Sequence, residues 1–214
     1  MAKLTLAGAA VLLATAAGLL CWLSRMSGSA VAPGVIRGTE ALDPRLAMIR
    51  TLQAMGPAPS LGDQAKVFGR FVGTWNVNYG EIAEDGKVTH FKGELVVGWV
   101  MDGYAIQDLF IAYPTAKHKE RTMGTTIRFF DRKSGKWRVV YVEPPTNTVV
   151  ELTGGQVGDR IILYGHDRDG ALMRWSFNDI KENSFVWRDE KSRDGGRTWR
   201  LTEQHYMTRR LAAR

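Results

Sequence analysis

The chain has 214 residues, of which 44% are hydrophobic and 24% charged, and this composition excludes a disordered or collagen-like protein. Its formal net charge is +7, but basic and acidic residues alternate along most of the chain, as on a solvated surface. The sequence contains no basic block with interleaved aromatic residues, zinc-finger spacing or helix-turn-helix pattern, so we expect no nucleic-acid partner. The single cysteine, Cys21, excludes an intramolecular disulfide and a cysteine-based metal cluster.

Residues 1–26 are predicted to form a membrane-anchor or signal helix. Lys3 is followed by twenty uncharged residues at positions 4–23, and Arg25 ends the run. Such a run is long enough to cross a bilayer as a helix. It is also typical of a cleaved signal peptide, for which 30–32 (Ala-Val-Ala) has the form of a cleavage site. Both alternatives predict a membrane-anchored or exported protein on the periplasmic, extracytoplasmic side.

Residues 27–42 are interpreted as a linker, and residues 43–70 are predicted to contain two short helices. Asp43 can cap the first helix and Pro44 suits its first turn. Apolar residues then recur at helical spacing up to Met55. Ser60 can cap the second helix, which carries Leu61, Ala65 and Phe68. We expect both helices to cover a sheet as a lid or plug.

From residue 71 to residue 210 the pattern is almost entirely β. Runs rich in Val, Ile, Thr and aromatic residues, separated by Gly and Asp, predict ten strands, at 72–82, 89–100, 104–113, 123–131, 136–143, 147–155, 160–167, 172–180, 184–192 and 198–208. Asp-Gly pairs such as 85–86 supply the positive φ values that tight hairpins need, and strands joined in this way run antiparallel. Closure removes exposed edges, so the predicted fold class is all-β, a ten-stranded antiparallel up-and-down barrel over 71–210, with 211–214 as a tail.

The first predicted strand opens with Gly73-Thr74-Trp75, which resembles the Gly-x-Trp of lipocalins and other calycin barrels. The resemblance implies that Trp75 closes the barrel floor and that a basic side chain of the last strand, Arg209 or Arg210, packs over it. Segments 98–110, 124–144 and 173–201 resemble an uncharacterised bacterial family with a lipocalin-like domain. That resemblance supports the fold and implies no established activity.

A more distant resemblance concerns the nitrobindins, whose ten-stranded barrels hold haem through a histidine near the C-terminus. His205 lies on the last predicted strand. The residues around it, TEQHYMT, do not match a haem signature. We therefore expect no cofactor.

The two-residue period of a strand predicts which side chains share a face. Asp189 is predicted to face the same way as Trp187, and Trp199 and Leu201 the same way as Glu203 and His205. The inward aromatic residues either fill the core or line an apolar cavity, and arginines such as Arg128 either bind a ligand carboxylate or lie outside. If a cavity exists, the predicted ligand-binding residues are Trp75, Tyr79, Trp99, Arg128, Tyr141, Trp175, Trp187, Glu203 and His205.

No zinc motif, nucleophile elbow, Gly-rich phosphate loop or dinucleotide fingerprint occurs, so we predict no catalytic or metal-ligating residue. The predicted function is storage, transport or sensing of a small hydrophobic or amphipathic molecule inside the barrel. One alternative is an isomerase or cyclase of lipid or secondary metabolism that uses a buried carboxylate, with Glu94, Asp108, Asp189 and Glu203 as candidates. The other is a barrel with a filled interior that binds a protein partner on its surface.

Overall fold

The computed structural model describes residues 43–116 and 119–211. The predicted membrane-anchor or signal helix and the linker at 27–42 lie outside these residues. A search of the described residues for a helix long and apolar enough to span a membrane finds none.

Two short helical segments precede the barrel, but only the second one plugs it. Helix α1 (Pro44–Leu52) begins at Asp43, whose side chain accepts a hydrogen bond of 3.0 Å from the amide of Arg45. The expectation that α1 covers the sheet is wrong, because it contains no buried residue. It leads into the two-residue strand β1 (Gln53–Ala54) beside the barrel.

The second segment begins as a 3₁₀ helix, Pro59–Gln64, and continues as α2 (Ala65–Gly69). Its N-cap is Ala58 and not Ser60 as predicted, because proline at position 59 already provides a helical φ at the first position. Leu61 and Phe68 are buried, so this segment is the plug.

The described part of the chain forms ten barrel strands close to the predicted bounds: β2 (Gly73–Ile82), β3 (Val88–Val100), β4 (Ala105–Ala112), β5 (Thr122–Asp131), β6 (Lys136–Glu143), β7 (Thr148–Val157), β8 (Arg160–His166), β9 (Leu172–Asn178), β10 (Ser184–Ser192) and β11 (Arg200–Arg209). Each strand pairs antiparallel with the next, and β11 pairs with β2. The sheet is therefore a closed up-and-down barrel, as predicted.

One end of the barrel is filled by aromatic rings. Phe68 of the plug lies edge-on to Trp137 at 4.9 Å between ring centroids, and Phe71 lies 4.6 Å from Phe185. Trp75 is fully buried and lies 4.8 Å from Phe185. We call this end the floor.

Trp75 and Arg209 meet as the calycin resemblance implied. The guanidinium of Arg209 lies 4.1 Å from the centre of the Trp75 ring and donates hydrogen bonds of 2.8 Å to the carbonyls of Arg70 and Val72. Gly73 has φ of 128°, and a side chain there would come within 2.9 Å of the same guanidinium. Arg210 instead turns outward, to Glu94.

A register shift between Asp189 and Glu190 changes which residues of β11 face inward. Glu203 lies opposite Asp189, but Leu201 lies opposite Glu190, which bonds Arg174 on the outer face. The prediction that Trp199 and Leu201 share a face with Glu203 and His205 is therefore wrong. Such a β-bulge breaks the two-residue period on one strand, and the sequence pattern does not show it.

Candidate functional site

A cavity of about 450 Å³ lies inside the barrel above the floor. The floor seals its lower end, and exposed loop residues such as Tyr113 and Thr146 line the other end. A volume of this size is typical of small-molecule sites. The barrel is therefore a cup with one mouth, and its interior is not filled.

Seven of the nine predicted ligand-binding residues line this cavity: Tyr79, Arg128, Tyr141, Trp175, Trp187, Glu203 and His205. The structure places the other two elsewhere. Trp75 lies within the floor, and Trp99 packs so closely on α2 that a side chain at Gly69 would collide with its ring.

Rings from six of the ten barrel strands line the cavity as one connected set, which we call the aromatic belt: Tyr79, Phe91, Phe110, Tyr141, Trp175 and Trp187, joined by His205. Trp187 lies 5.2 Å from Trp175 and 4.4 Å from the His205 ring, between ring centroids. His205 in turn stacks on Phe110 at 5.5 Å. The belt gives the cavity a rigid, largely apolar wall.

An ion pair lies in the wall between the belt and the floor. Arg128 Nη1 donates to Asp108 Oδ2, and the two side chains are 8% and 4% exposed. The guanidinium lies 5.3 Å from the centre of the Phe68 ring, and no described residue accepts a hydrogen bond from its Nε. Arg128 is therefore inside the barrel, where its charge is balanced by Asp108.

Carboxylates line the mouth side of the belt. Glu203 lies directly opposite Glu81 on one neighbouring strand and Asp189 on the other. Glu143 follows on β6, two residues after Tyr141. We call Glu81, Glu143 and Glu203 the acidic rim. Burial, reinforced by the rim carboxylates, raises the pKa of the Tyr79 and Tyr141 hydroxyls, so both stay neutral hydrogen-bond donors.

Asp189 is a buried carboxyl group in the cavity wall whose pKa is raised. It is 4% exposed, and burial, together with the charge of Glu203, raises its pKa to about 6 despite a hydrogen bond of 2.7 Å from Thr202. Its Oδ1 has no hydrogen-bond partner in the described part of the chain.

Replacing Asp189 with asparagine is expected to stabilise the protein above pH 6 and not at pH 4. Because the folded pKa is raised, the folded state holds a proton that the unfolded aspartate releases near its ordinary value of 3.8. The wild-type free energy of unfolding therefore falls as the pH rises from about 3.8 to about 6, by up to about 3 kcal/mol, and does not fall further above that range. Asparagine does not ionise, so the variant does not lose this free energy of unfolding as the pH rises.

Chemical denaturation between pH 4 and pH 8 measures the effect. Asp159→Asn, the same change at an exposed turn, is the matched control and should not alter the pH dependence. Equal stability of Asp189→Asn and wild type at pH 8 would show that Asp189 is not destabilised by burial.

Sequence reasoning missed Glu81, Glu143, Phe91 and Phe110 as lining residues and listed Asp189 only as a candidate acid. The two-residue period already contained a signal for three of them. Glu81, Glu143 and Asp189 each follow an inward aromatic residue by two positions.

The residues around His205 do not fit haem. Its Nε2 lies 3.1 Å from Glu203 Oε2, and its ring packs between Trp187 and Phe110. The expectation that no cofactor binds stays a prediction.

No protein-family model and no curated protein matches the chain. Among solved structures, the crystal structure of Rv2717c from M. tuberculosis matches with a TM-score of 0.54 and 14% identity, over 72% of this chain and 99% of that one. The S-type phycobiliprotein lyase CPES from Guillardia theta matches with a TM-score of 0.50 and 12% identity, over 68% of this chain and 92% of that one. These matches show the fold alone.

Proposed function

We propose that the barrel binds one small amphipathic molecule. The observation that carries this proposal is the cavity of about 450 Å³, closed at the floor and reached from one mouth. The apolar part of the ligand would lie against the aromatic belt, and its polar part would lie toward the acidic rim. Storage, transport and sensing all use such a site.

Native mass spectrometry of the purified full chain is expected to detect a co-purifying molecule. A Val150→Trp variant should lose it, because Val150 is buried and lines the cavity, and the larger ring would fill part of the space. The matched control is Val149→Trp, since the neighbouring Val149 is 63% exposed. Recovery of the molecule from both variants alike would place it outside the barrel and contradict the proposal.

A second candidate function is an enzyme that transfers a proton in the same cavity. Asp189 favours it, because a buried carboxyl with a pKa of about 6 is suited to general acid or base catalysis near neutral pH. The co-purified molecule, incubated with the protein in D₂O, would then gain deuterium on carbon, and Asp189→Asn would abolish the gain. Absence of exchange with wild-type protein would leave binding as the function.

A further inference from the structure

The cavity has the opposite charge to the chain as a whole. The chain carries 29 Lys and Arg against 22 Asp and Glu. Among the described residues, two of these bases line the cavity, Arg128 and Lys191, against six carboxyl side chains: Glu81, Asp108, Glu120, Glu143, Asp189 and Glu203. Arg128 is committed to Asp108, and the Lys191 ammonium lies 3.2 Å from Asp167. Among the described residues, neither base therefore forms an ion pair with Asp189 or Glu203.

The carboxylates are placed side by side. Glu203 has Glu81 and Asp189 as its direct partners on the two adjacent strands. Like charges in directly opposed positions destabilise a sheet. His205 contacts Glu203, but it is a single imidazole among several acids. An occupant with a positive charge would relieve this repulsion.

Asp189 points to the same kind of occupant independently. Its side chain faces the cavity and is almost completely buried; Thr202 donates to Oδ2, and the Trp175 indole lies near the carboxylate, yet no described residue meets hydrogen-bond geometry at Oδ1. A buried carboxylate oxygen without a donor is costly. A hydrogen-bond donor on a bound molecule would satisfy Asp189 Oδ1, and a charged N–H is the strongest such donor.

The aromatic belt suits a cationic group as well as an apolar body. Trp175 and Trp187 lie next to Asp189, because Trp175 is its cross-strand partner and Trp187 is two residues before it. Indole faces attract cations and contact hydrocarbon equally well. A metal ion is a poorer candidate, since no group of three or more potential ligand side chains in the described residues is arranged to hold one.

We propose that the ligand is a protonated amine on an apolar body, with its ammonium group between Asp189 and Glu203 and its apolar part within the aromatic belt. This inference rests on the proposed ligand-binding function and names the chemical class of the ligand. The Arg128–Asp108 pair nearer the floor is balanced, so the charge of the ligand is held toward the mouth.

Three probes of one shape test the sign of the charge: 2-(1-naphthyl)ethylamine as the cation, 2-(1-naphthyl)ethanol as the neutral molecule and 1-naphthaleneacetate as the anion. Isothermal titration calorimetry on the full chain at pH 7.5 measures their affinities. We expect the amine to bind about tenfold or more tighter than the alcohol, and the anion to bind most weakly.

Variants show whether the carboxylates of the cavity cause the preference. Asp189→Asn and Glu203→Gln should each reduce the ratio of amine to alcohol affinity by about three- to tenfold. Glu190→Gln is the matched control, because Glu190 is adjacent to Asp189 but bonds Arg174 on the outer face. Thermal unfolding of each variant confirms that it is folded.

The outcomes separate this inference from the proposed function. Equal affinity for the three probes, or tightest binding of the anion, overturns the charge inference and leaves ligand binding intact. A co-purifying molecule that native mass spectrometry identifies as neutral or anionic would also overturn the charge inference and leave ligand binding intact. An amine preference that Glu190→Gln reduces as much as Asp189→Asn also contradicts it. Failure of all three probes to bind, with no co-purifying molecule, overturns both proposals.

Discussion

Replacing Arg128 with methionine is expected to lower the free energy of unfolding by about 3–5 kcal/mol. Arg128 and Asp108 are both buried and form an ion pair inside the barrel. Removal of the guanidinium leaves the Asp108 carboxylate in the protein interior without its cation. The desolvation cost of that charge, and not the loss of the pair itself, dominates the effect.

A double variant separates these two contributions. Arg128→Met combined with Asp108→Leu should recover most of the lost stability, because an apolar pair of similar volume often replaces a buried ion pair without cost. Arg138→Met is the control, since Arg138 is exposed on the neighbouring strand and should change stability by less than about 0.5 kcal/mol. Urea denaturation measures all three. A double variant less stable than Arg128→Met would show that the pair itself stabilises the barrel.

Replacing Trp75 with alanine is expected to cost about 3–5 kcal/mol of unfolding free energy. The indole is fully buried, and its N–H donates a hydrogen bond of 2.8 Å to the carbonyl of Phe71. Its loss leaves a void beside Phe185, an unpaired carbonyl, and the Arg209 guanidinium without the ring beneath it. All three changes weaken the packing of the floor that seals the cavity.

Trp199→Ala is the matched control for this variant. Trp199 is half-buried on the outer face, where the Arg174 guanidinium lies 4.3 Å from its ring centre, so it should cost clearly less than Trp75→Ala. Thermal and urea unfolding compare the two. Equal losses would mean that Trp75 has no special role in closing the floor.

The strands were predictable because their pattern is local. Asp and Gly at the turns, together with short apolar runs between them, located all ten barrel strands within about two residues of their ends. The helical segment was less predictable, because Leu46 and Ile49 of α1 recur at helical spacing yet are exposed. Spacing shows that a helix has an apolar side, and only the tertiary structure shows whether anything covers it.

The candidate site was predictable in its aromatic part and less so in its charges. Alternation along β2 and β10 predicted which residues share a face with Tyr79 and Trp187, and the structure shows that both of these rings line the cavity. The bulge at Thr202 of β11, opposite Asp189, reversed the prediction for Trp199 and Leu201, because a single extra residue changes the face of every residue beyond it. The sequence pattern left open whether Arg128 faces inward. Its buried partner Asp108 lies on another strand, so this ion pair becomes visible only in the tertiary structure.

The amino-acid sequence by itself determined the ten strands, their antiparallel order and the Gly-x-Trp with which the barrel opens, because all of these depend on neighbours along the chain. Only the tertiary structure decided that the interior holds a cavity, that Phe68 and Phe71 seal its floor, and that Glu81, Glu203 and Asp189 stand side by side at its mouth. These features depend on how the ten strands close and on the register between them, and both are set by contacts between residues far apart in the sequence.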